Sequence, residues 1–307
     1  MTNKILVIGD VMLDEYWYGT SNRISPEAPV PIVNFDNSDM RLGGAANVAA
    51  NISSLGGDVT LLSLIGNDDK AKIFNELVDS NHINHIAIKS NNLKITRKLR
   101  IISSNQQVTR IDFDTETSSY SKLIFNKLKK IFHEFDLFVF SDYNKGSLSN
   151  IELMIDFLIK NDKKNILIDP KKKDFICYAH SFLMTPNKRE FLNYINVTNF
   201  DDRAIELGFE CIKKLKLKYL LITLGENGMV LLNNNNKKTL IKANADEVFD
   251  VSGAGDTVIA SLAFCLANSI SILNAVKFSN MTAGIVVGKQ GTSIINKKDI
   301  KKMRNFL

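Results

Sequence analysis

Asp250-Val251-Ser252-Gly253-Ala254-Gly255-Asp256-Thr257 runs directly into an apolar stretch, Val258–Leu266, whose spacing predicts a helix over Thr257–Leu266. Two glycines around a small residue let a backbone turn lie flush against a ligand. The helix that follows aims unpaired N–H groups and a partial positive charge at the same point. Such a turn is an anion site, suited to a phosphoryl group in transfer. Asp256 sits at the start of that helix, where it can act on the attacking group or simply cap the helix. Gly253, Ala254, Gly255 and Asp256 are therefore the first candidates for catalysis.

With 307 residues the chain suits one large α/β domain carrying an excursion. Its 45% hydrophobic content supplies a sizeable core. The net charge of +6 admits nucleic acid or polyphosphate. However, the lysines are scattered over polar helix faces, and no basic stripe with interleaved aromatics appears, so no nucleic-acid partner is expected. Cys177, Cys211 and Cys265 lie far apart without metal-ligand spacing, as in reduced thiols of a cytoplasmic protein. The start, Met1–Ile8, lacks the apolar core of a signal peptide. No apolar run approaches the roughly 18–20 residues of a membrane span, and no membrane partner is expected.

Short apolar runs alternate with amphipathic stretches. Strands are predicted at Ile5–Gly9, Val59–Ile65, Leu137–Ser141, Asn165–Asp169, Phe182–Met184, Tyr219–Thr223 and Met229–Leu232. Helices are predicted at Ala45–Leu55, Lys70–Ser80, Ser121–Phe135, Asn150–Lys160, Asp201–Leu215, Thr257–Leu266 and Ile272–Val287. Strands without polar alternation are buried on both faces, which implies a mostly parallel sheet between helices, an α/β doubly wound sandwich. Two segments break the rhythm. Tyr16–Phe35 is rich in proline and aromatics and holds the strand-like Val30–Phe35. Ile83–Phe113 places Ile86–Lys89, Thr96–Ser103 and Gln107–Phe113 in succession with no helix between. Both fit a small β lid, at about 13–36 and 85–113, on a single domain spanning 1–307.

The P-loop, the G-x-G-x-x-G turn after the first strand and H-E-x-x-H are all absent, and four isolated histidines suggest no metal centre. Other elements end strands, where open α/β sheets bind ligands. Asp14, after the first strand, can accept from paired sugar hydroxyls or merely cap a turn. Gly43-Gly44-Ala45-Ala46-Asn47 opens a helix with two glycines, allowing close ligand approach with Asn47 on the first turn. Asn187-Lys188-Arg189-Glu190 puts an amide and a carboxylate on one helix face. That pair suits the waters of Mg²⁺, or an ordinary acidic helix start. Lys171 ends a strand within reach of a phosphate. Thr223-Leu224-Gly225-Glu226-Asn227-Gly228 can admit a nucleotide or form a plain hairpin.

In order and spacing, Gly43-Gly44-x-x-Asn47, Asn187-x-x-Glu190, Thr223-x-Gly225-x-x-Gly228 and Gly253-Ala254-Gly255-Asp256 resemble the ribokinase-like, or PfkB, family of sugar kinases over essentially the whole chain. The resemblance implies a ribokinase-like three-layer sandwich with a β lid and ATP-dependent phosphorylation of an alcohol. It implies Asp256 as base and the Gly253–Gly255 amides as the anion hole. Asn187, Lys188, Arg189, Glu190, Lys171, Thr223, Gly225 and Gly228 would serve ATP, with Asn187 and Glu190 organising Mg²⁺ through water. Asp14, Gly43, Gly44 and Asn47 would hold the sugar, and K⁺ would sit near the carbonyls of Asp250 and Ser252. The N-terminus of the last helix is expected to favour ionised Asp256.

Ile24-Ser25-Pro26-Glu27-Ala28-Pro29-Val30-Pro31, Asn105-Gln106-Gln107 and Ser141-Asp142-Tyr143-x-Lys145-Gly146 further resemble heptose 7-phosphate kinases of lipopolysaccharide precursor synthesis, in many of which a nucleotidyltransferase domain follows. By that resemblance only the kinase half is present, and its substrate is D-glycero-D-manno-heptose 7-phosphate. The 7-phosphate needs cations. Arg97, Lys98, Arg100, Arg110 and Lys145 are candidates, with Asn105, Gln107 and Asp142 beside them, although alternating charges on a lid strand can also be its wet face. A homodimer through the lid strands would cover their edges. The rival readings are a kinase of ribose, fructose 6-phosphate or a nucleoside, and a sugar-phosphate-binding regulator without catalysis.

Overall fold

The computed structural model describes residues 3–104, 106–243, 248–296 and 298–299. β1 (Ile5–Gly9) shows how the sequence builds the layers. Ile5 and Val7 enter one buried cluster, while Leu6 and Ile8 enter another on the opposite face of the sheet. That two-residue alternation of an all-apolar strand requires helices on both sides.

The remaining elements follow in chain order. β2 (Val11–Ile24) and β3 (Pro31–Gly44) lead to α1 (Ala45–Ser54), β4 (Val59–Ile65), α2 (Asp69–Ser80) and β5 (Asn84–Lys89). β6 (Thr96–Ser103), β7 (Gln106–Phe113), α3 (Ser121–Ile131), β8 (Leu137–Ser141), α4 (Ile151–Lys160) and β9 (Ile166–Asp169) come next. β10 (Leu183–Met184), α5 (Lys188–Ile195), α6 (Asp202–Leu215), β11 (Tyr219–Thr223), β12 (Met229–Asn233), β13 (Lys238–Ile241), α7 (Ala254–Ala267) and α8 (Ile272–Val287) complete the order.

Nine strands form one sheet in the order β13-β12-β11-β10-β9-β8-β1-β4-β5, antiparallel only where β12 meets its two neighbours. Residues of α1, α2, α7 and α8 fill one face, and those of α3, α4, α5 and α6 the other. The chain winds outward from β1 to β5, then returns to β8 beside β1. This reversal opens a crevice at the carboxyl ends of β1 and β8, where a doubly wound sheet receives its ligand.

A second sheet, β3-β2-β6-β7, forms the lid. Its makeup corrects the sequence reading in two places. Asn84–Lys89 belongs to the large sheet, parallel to β4. The lid instead takes in β2 from Val11 and the whole of β3 to Gly44, beyond the expected 13–36. The polar stretches of β2 and β3 carry little strand signal alone; their ladder to each other supplies it. Pro26 and Pro29 fall between the two strands, where no ladder N–H is needed.

α7 begins at Ala254, three residues before the expected Thr257, because the glycine turn is itself the helix start. α3 ends at Ile131, with a 3-10 turn over Phe132–Glu134 replacing its last turn. The cysteines are free thiols. Among the described residues, no helix is long and apolar enough to cross a membrane.

Candidate active site

Gly253 is the N-cap of α7, with φ +78, a left-handed backbone that only glycine adopts freely. No side chain caps the helix start, where the Ala254 N–H donates to the Val251 carbonyl at 3.2 Å, and Asp256 falls in the first turn. Its carboxylate does not cap the helix. It is 3% exposed, and its oxygens face two donors from other parts of the chain. Asn47 Nδ2 donates to Oδ2 at 2.8 Å, and the Tyr143 hydroxyl donates to Oδ1 at 2.7 Å. Asn51 Nδ2 donates to Asn47 Oδ1 at 3.2 Å, which fixes the amide with its own Nδ2 toward Asp256. Gly43 serves a different approach, that of β3 to Asp14 on β2, since a Cβ on Gly43 would lie 2.5 Å from Asp14 Oδ2.

Burial pushes the Asp256 carboxyl up to about 6, against the opposing effect of the Asn47 and Tyr143 hydrogen bonds. Burial is the largest influence on this carboxyl, and it acts against the ionised form that the helix N-terminus was expected to favour. A carboxylate poised there is ionised at neutral pH yet still basic enough to take a proton.

Asp10, just past β1, holds the opposite wall. Its Oδ2 accepts from the backbone N–H of Tyr143 and of Lys145, both at 3.0 Å, and its Oδ1 from Ser147 at 3.1 Å. The loop after β8 is thereby tied to the end of β1, and Tyr143 is aimed at Asp256. Buried Asp142 faces the next loop, accepting from the Tyr178 hydroxyl at 2.8 Å with Lys172 Nζ at 3.6 Å.

A cavity of about 130 Å³ opens over Asp256, walled by Asp142, Tyr143, Asp169, Lys171, Thr185, Asn187, Glu190, Thr223, Gly253 and Gly255. Asn187 and Glu190 form a reciprocal capping box at the start of α5, and Lys171 Nζ lies 2.7 Å from Glu190. The local helix-start role is therefore real, and both side chains still line the cavity. Burial, then repulsion from Asp256 and Glu190, holds the Asp169 carboxyl well above its usual range. Four carboxylates against one lysine make a wall that a cation relieves. Among the described residues no three acidic or histidine groups converge as direct metal ligands. The spread fits a hydrated divalent ion held through its waters.

Beyond Thr223 and Gly255, which border both, lies a larger apolar cavity of about 370 Å³. Gly225, Gly228, Met229, Val251, Ala254, Val258, Ala283 and Val287 line it. Its size and lining suit a purine, with the helix N-terminus between the base end and Asp256.

On the lid side, Asp14 lies on β2 rather than in a loop. Its Oδ1 accepts from Arg100 at 2.6 Å and its Oδ2 from the Thr292 hydroxyl at 2.8 Å. Arg100 is thus committed to Asp14. Other expected residues fall elsewhere. Arg110 pairs with its lid neighbour Asp112, Gln107 is exposed on β7, and Lys145 pairs with Asp114 away from Asp256. Lys188 and Arg189 are exposed on the first turn of α5 and line neither cavity, because the capping box turns only Asn187 and Glu190 inward. Gly44 caps α1 at φ +61 against the Asp10 carbonyl. Asn105 lies outside the described residues.

Sequence reasoning missed Tyr143 and Asp10 as parts of the site. Asp10 in Gly9-Asp10 and Tyr143 in Ser141-Asp142-Tyr143 both follow central strands, which was the only signal for Asp10, while Tyr143 also lay within the Ser141–Gly146 motif.

The pfkB family carbohydrate kinase pattern matches residues 2–299. The chain belongs to the pfkB family of carbohydrate kinases. It is 42% identical over 299 residues to the bifunctional protein HldE of Histophilus somni, and 43% identical over 299 residues to that of Proteus mirabilis. These alignments take in 97% and 95% of this chain but 63% and 62% of those proteins, so the chain spans less than two thirds of their length. Among solved structures, a ribokinase from Giardia lamblia superposes with a TM-score of 0.81 over 98% of this chain and 99% of its own, at 18% identity. A phosphofructokinase-2 from Escherichia coli in complex with potassium gives 0.80 over 100% and 99%, at 16% identity. The fold is ribokinase-like, and the family membership makes the protein an ATP-dependent carbohydrate kinase, which requires ATP and a divalent cation.

Proposed function

We propose that the chain phosphorylates the anomeric hydroxyl of D-glycero-D-manno-heptose 7-phosphate from ATP and Mg²⁺, giving the 1,7-bisphosphate for ADP-heptose and lipopolysaccharide core synthesis in the cytoplasm. The observation that carries the phosphotransfer is Asp256, buried at the N-terminus of α7 between the lid and a purine-sized cavity. The choice of sugar rests on the identity to the kinase-length part of the HldE proteins and on the motif resemblance.

The site residues divide the work. The apolar cavity beyond Gly225 and Gly228 takes the adenine, and Thr223, Asn187, Glu190 and Lys171 border the phosphates. Mg²⁺ would sit through water at Asn187 and Glu190, with Asp169 facing the same space, and supplies charge neutralisation on the phosphates. Asp14, Gly43 and Asn47 border the sugar. Asp256 orients the sugar hydroxyl and takes its proton late, as the oxygen bonds the γ-phosphorus and the bond to the β-phosphate oxygen breaks, releasing ADP. The N–H groups of Gly253–Gly255 stabilise the transferring group. A potassium ion beside the carbonyls of Asp250 and Ser252, and a homodimer through the lid, complete the proposal.

The deciding experiment measures ADP release with heptose 7-phosphate, ribose and fructose 6-phosphate, with Asp256→Asn as control. Turnover confined to the heptose and lost in the variant supports the reading. Faster turnover of another sugar replaces the substrate and leaves the kinase chemistry in place.

A further inference from the structure

The inward face of the lid carries a charge count that does not close. Direct pairing of Asp14 with Lys98 and of Tyr16 with Arg100 across β2 and β6 puts these four side chains on one face. The β3 register adds Arg41 opposite Asp14 and Asp39 opposite Tyr16. The β7 register adds Asp112 opposite Lys98 and Arg110 opposite Arg100. Four cations therefore share this face with three carboxylates.

Three ion pairs account for all but one of these groups. Arg41 pairs with Asp39 at 2.7 Å, Arg100 with Asp14 at 2.6 Å, and Arg110 with Asp112 at 2.8 Å. On the other face, Arg97 and Lys70 share Glu15. Among the described residues Lys98 alone of these cations has no carboxylate within ion-pair distance.

Its position is not the wet face. Lys98 is half-buried, and its Nζ lies 5.2 Å from the centroid of the Tyr143 ring, whose hydroxyl is bonded to Asp256. Burial lowers the ammonium from its ordinary value, with Asp14 acting in the opposite sense. A desolvated cation without a partner is costly unless an anion completes it.

We propose that Lys98 is the residue that binds the phosphate already present on the acceptor sugar, so that this lid selects phosphorylated sugars over free ones. The proposal rests on the sugar-phosphate kinase reading above and names the subsite within it. It replaces Arg100 and Arg110, which are committed to Asp14 and Asp112. Lysine suits the task as a compact point charge delivered on a long stem from the lid.

The test compares Lys98→Met and Lys98→Arg with the unaltered enzyme. A charged hydrogen bond of ordinary strength predicts that Lys98→Met raises KM for heptose 7-phosphate roughly tenfold to hundredfold, while kcat at saturation falls far less. The preference for fructose 6-phosphate over fructose, as a ratio of kcat/KM, should collapse in parallel, and Lys98→Arg should restore most of both. The melting temperature of Lys98→Met should hold or rise, since a half-buried charge without a carboxylate partner has been removed.

A fall in kcat with KM unmoved would place Lys98 at the transferred group instead and overturn the proposal. So would a lowered melting temperature that accompanies equal losses on free and phosphorylated sugars. A binding readout separates this proposal from the choice of sugar. Inorganic phosphate should raise the melting temperature of the unaltered protein more than that of Lys98→Met, whose remaining shift reports the anion site at the start of α7. Equal shifts overturn the subsite even if heptose 7-phosphate proves to be the substrate. A larger shift in the unaltered protein upholds the subsite even if it does not.

Discussion

The Tyr143 hydroxyl and the Asp256 carboxylate meet at 2.7 Å although 113 residues separate them. Tyr143 comes from the loop after β8 and Asp256 from the first turn of α7, so the contact spans the crevice at the sheet's point of reversal. With Asn47 on the other oxygen, the base is held from both sides before any sugar arrives. Both donors stabilise the ionised form, while burial destabilises it.

Tyr143→Phe removes one of those donors. The Asp256 carboxyl should then rise further above about 6. Because the deprotonated form is the active one, turnover falls as pH drops through that value. The acid limb of the kcat–pH profile should therefore move to higher pH in the variant, with a severalfold loss at pH 7. An unmoved acid limb would show that Tyr143 does not act through Asp256.

Asp256→Asn should lower kcat by about 10²–10⁴-fold with little effect on sugar KM, as loss of a positioned base does. Stability should move the other way. A carboxyl raised in the folded state from 3.8 to about 6 contributes stability that is full below pH 4 and lost as pH rises through 6. At ~1.4 kcal/mol per pH unit the ionised group costs about 3 kcal/mol at pH 8. The variant should melt above the unaltered protein at pH 8, and the gap should shrink towards pH 4.

Asp10 accepts three backbone N–H groups from the Tyr143–Ser147 loop. Asp10→Ala leaves those donors unpaired and should cost roughly 2–4 kcal/mol in denaturant unfolding, at about 1–3 kcal/mol per orphaned group with partial rescue by water. Activity should fall with it, because the loop positions the Tyr143 hydroxyl. Retained stability would mean that the loop holds itself.

Glu190→Gln separates two roles of one residue. Glutamine can still complete the capping box with Asn187, so the melting temperature should change little. The lost charge should weaken the Lys171 pair and the hold on the metal's waters, raising the Mg²⁺ concentration needed for half-maximal turnover at least severalfold. A stability loss without a change in Mg²⁺ dependence would reduce Glu190 to a helix cap.

Ala283→Phe fills the apolar cavity beside Gly255 from α8. KM for ATP should rise tenfold or more, while binding of the sugar alone, measured by calorimetry, should be nearly unaffected.

What the sequence determined by itself was local and chemical. Apolar runs such as Ile5–Gly9 and Leu137–Ser141 declared strands buried on both faces, and the Gly253–Asp256 turn declared an anion-binding helix start. These features are legible because one short segment contains their whole physical cause. Tertiary structure decided whatever depends on a partner distant in sequence. The ladder between β2 and β3 turned polar stretches into the lid, and pairing with β4 moved Asn84–Lys89 into the large sheet. Burial, which depends on elements far apart in the chain, raised the Asp256 carboxyl to about 6. Side-chain reach across the lid ladder, and not register alone, decided which lid cations are taken. Lys98 stands directly opposite Asp14 in the ladder, yet it is Arg100, two residues on, that pairs with Asp14 at 2.6 Å, and Lys98 has no carboxylate partner among the described residues. Charge is written in the sequence, but whether it is neutralised depends on long-range pairing that only the folded chain fixes.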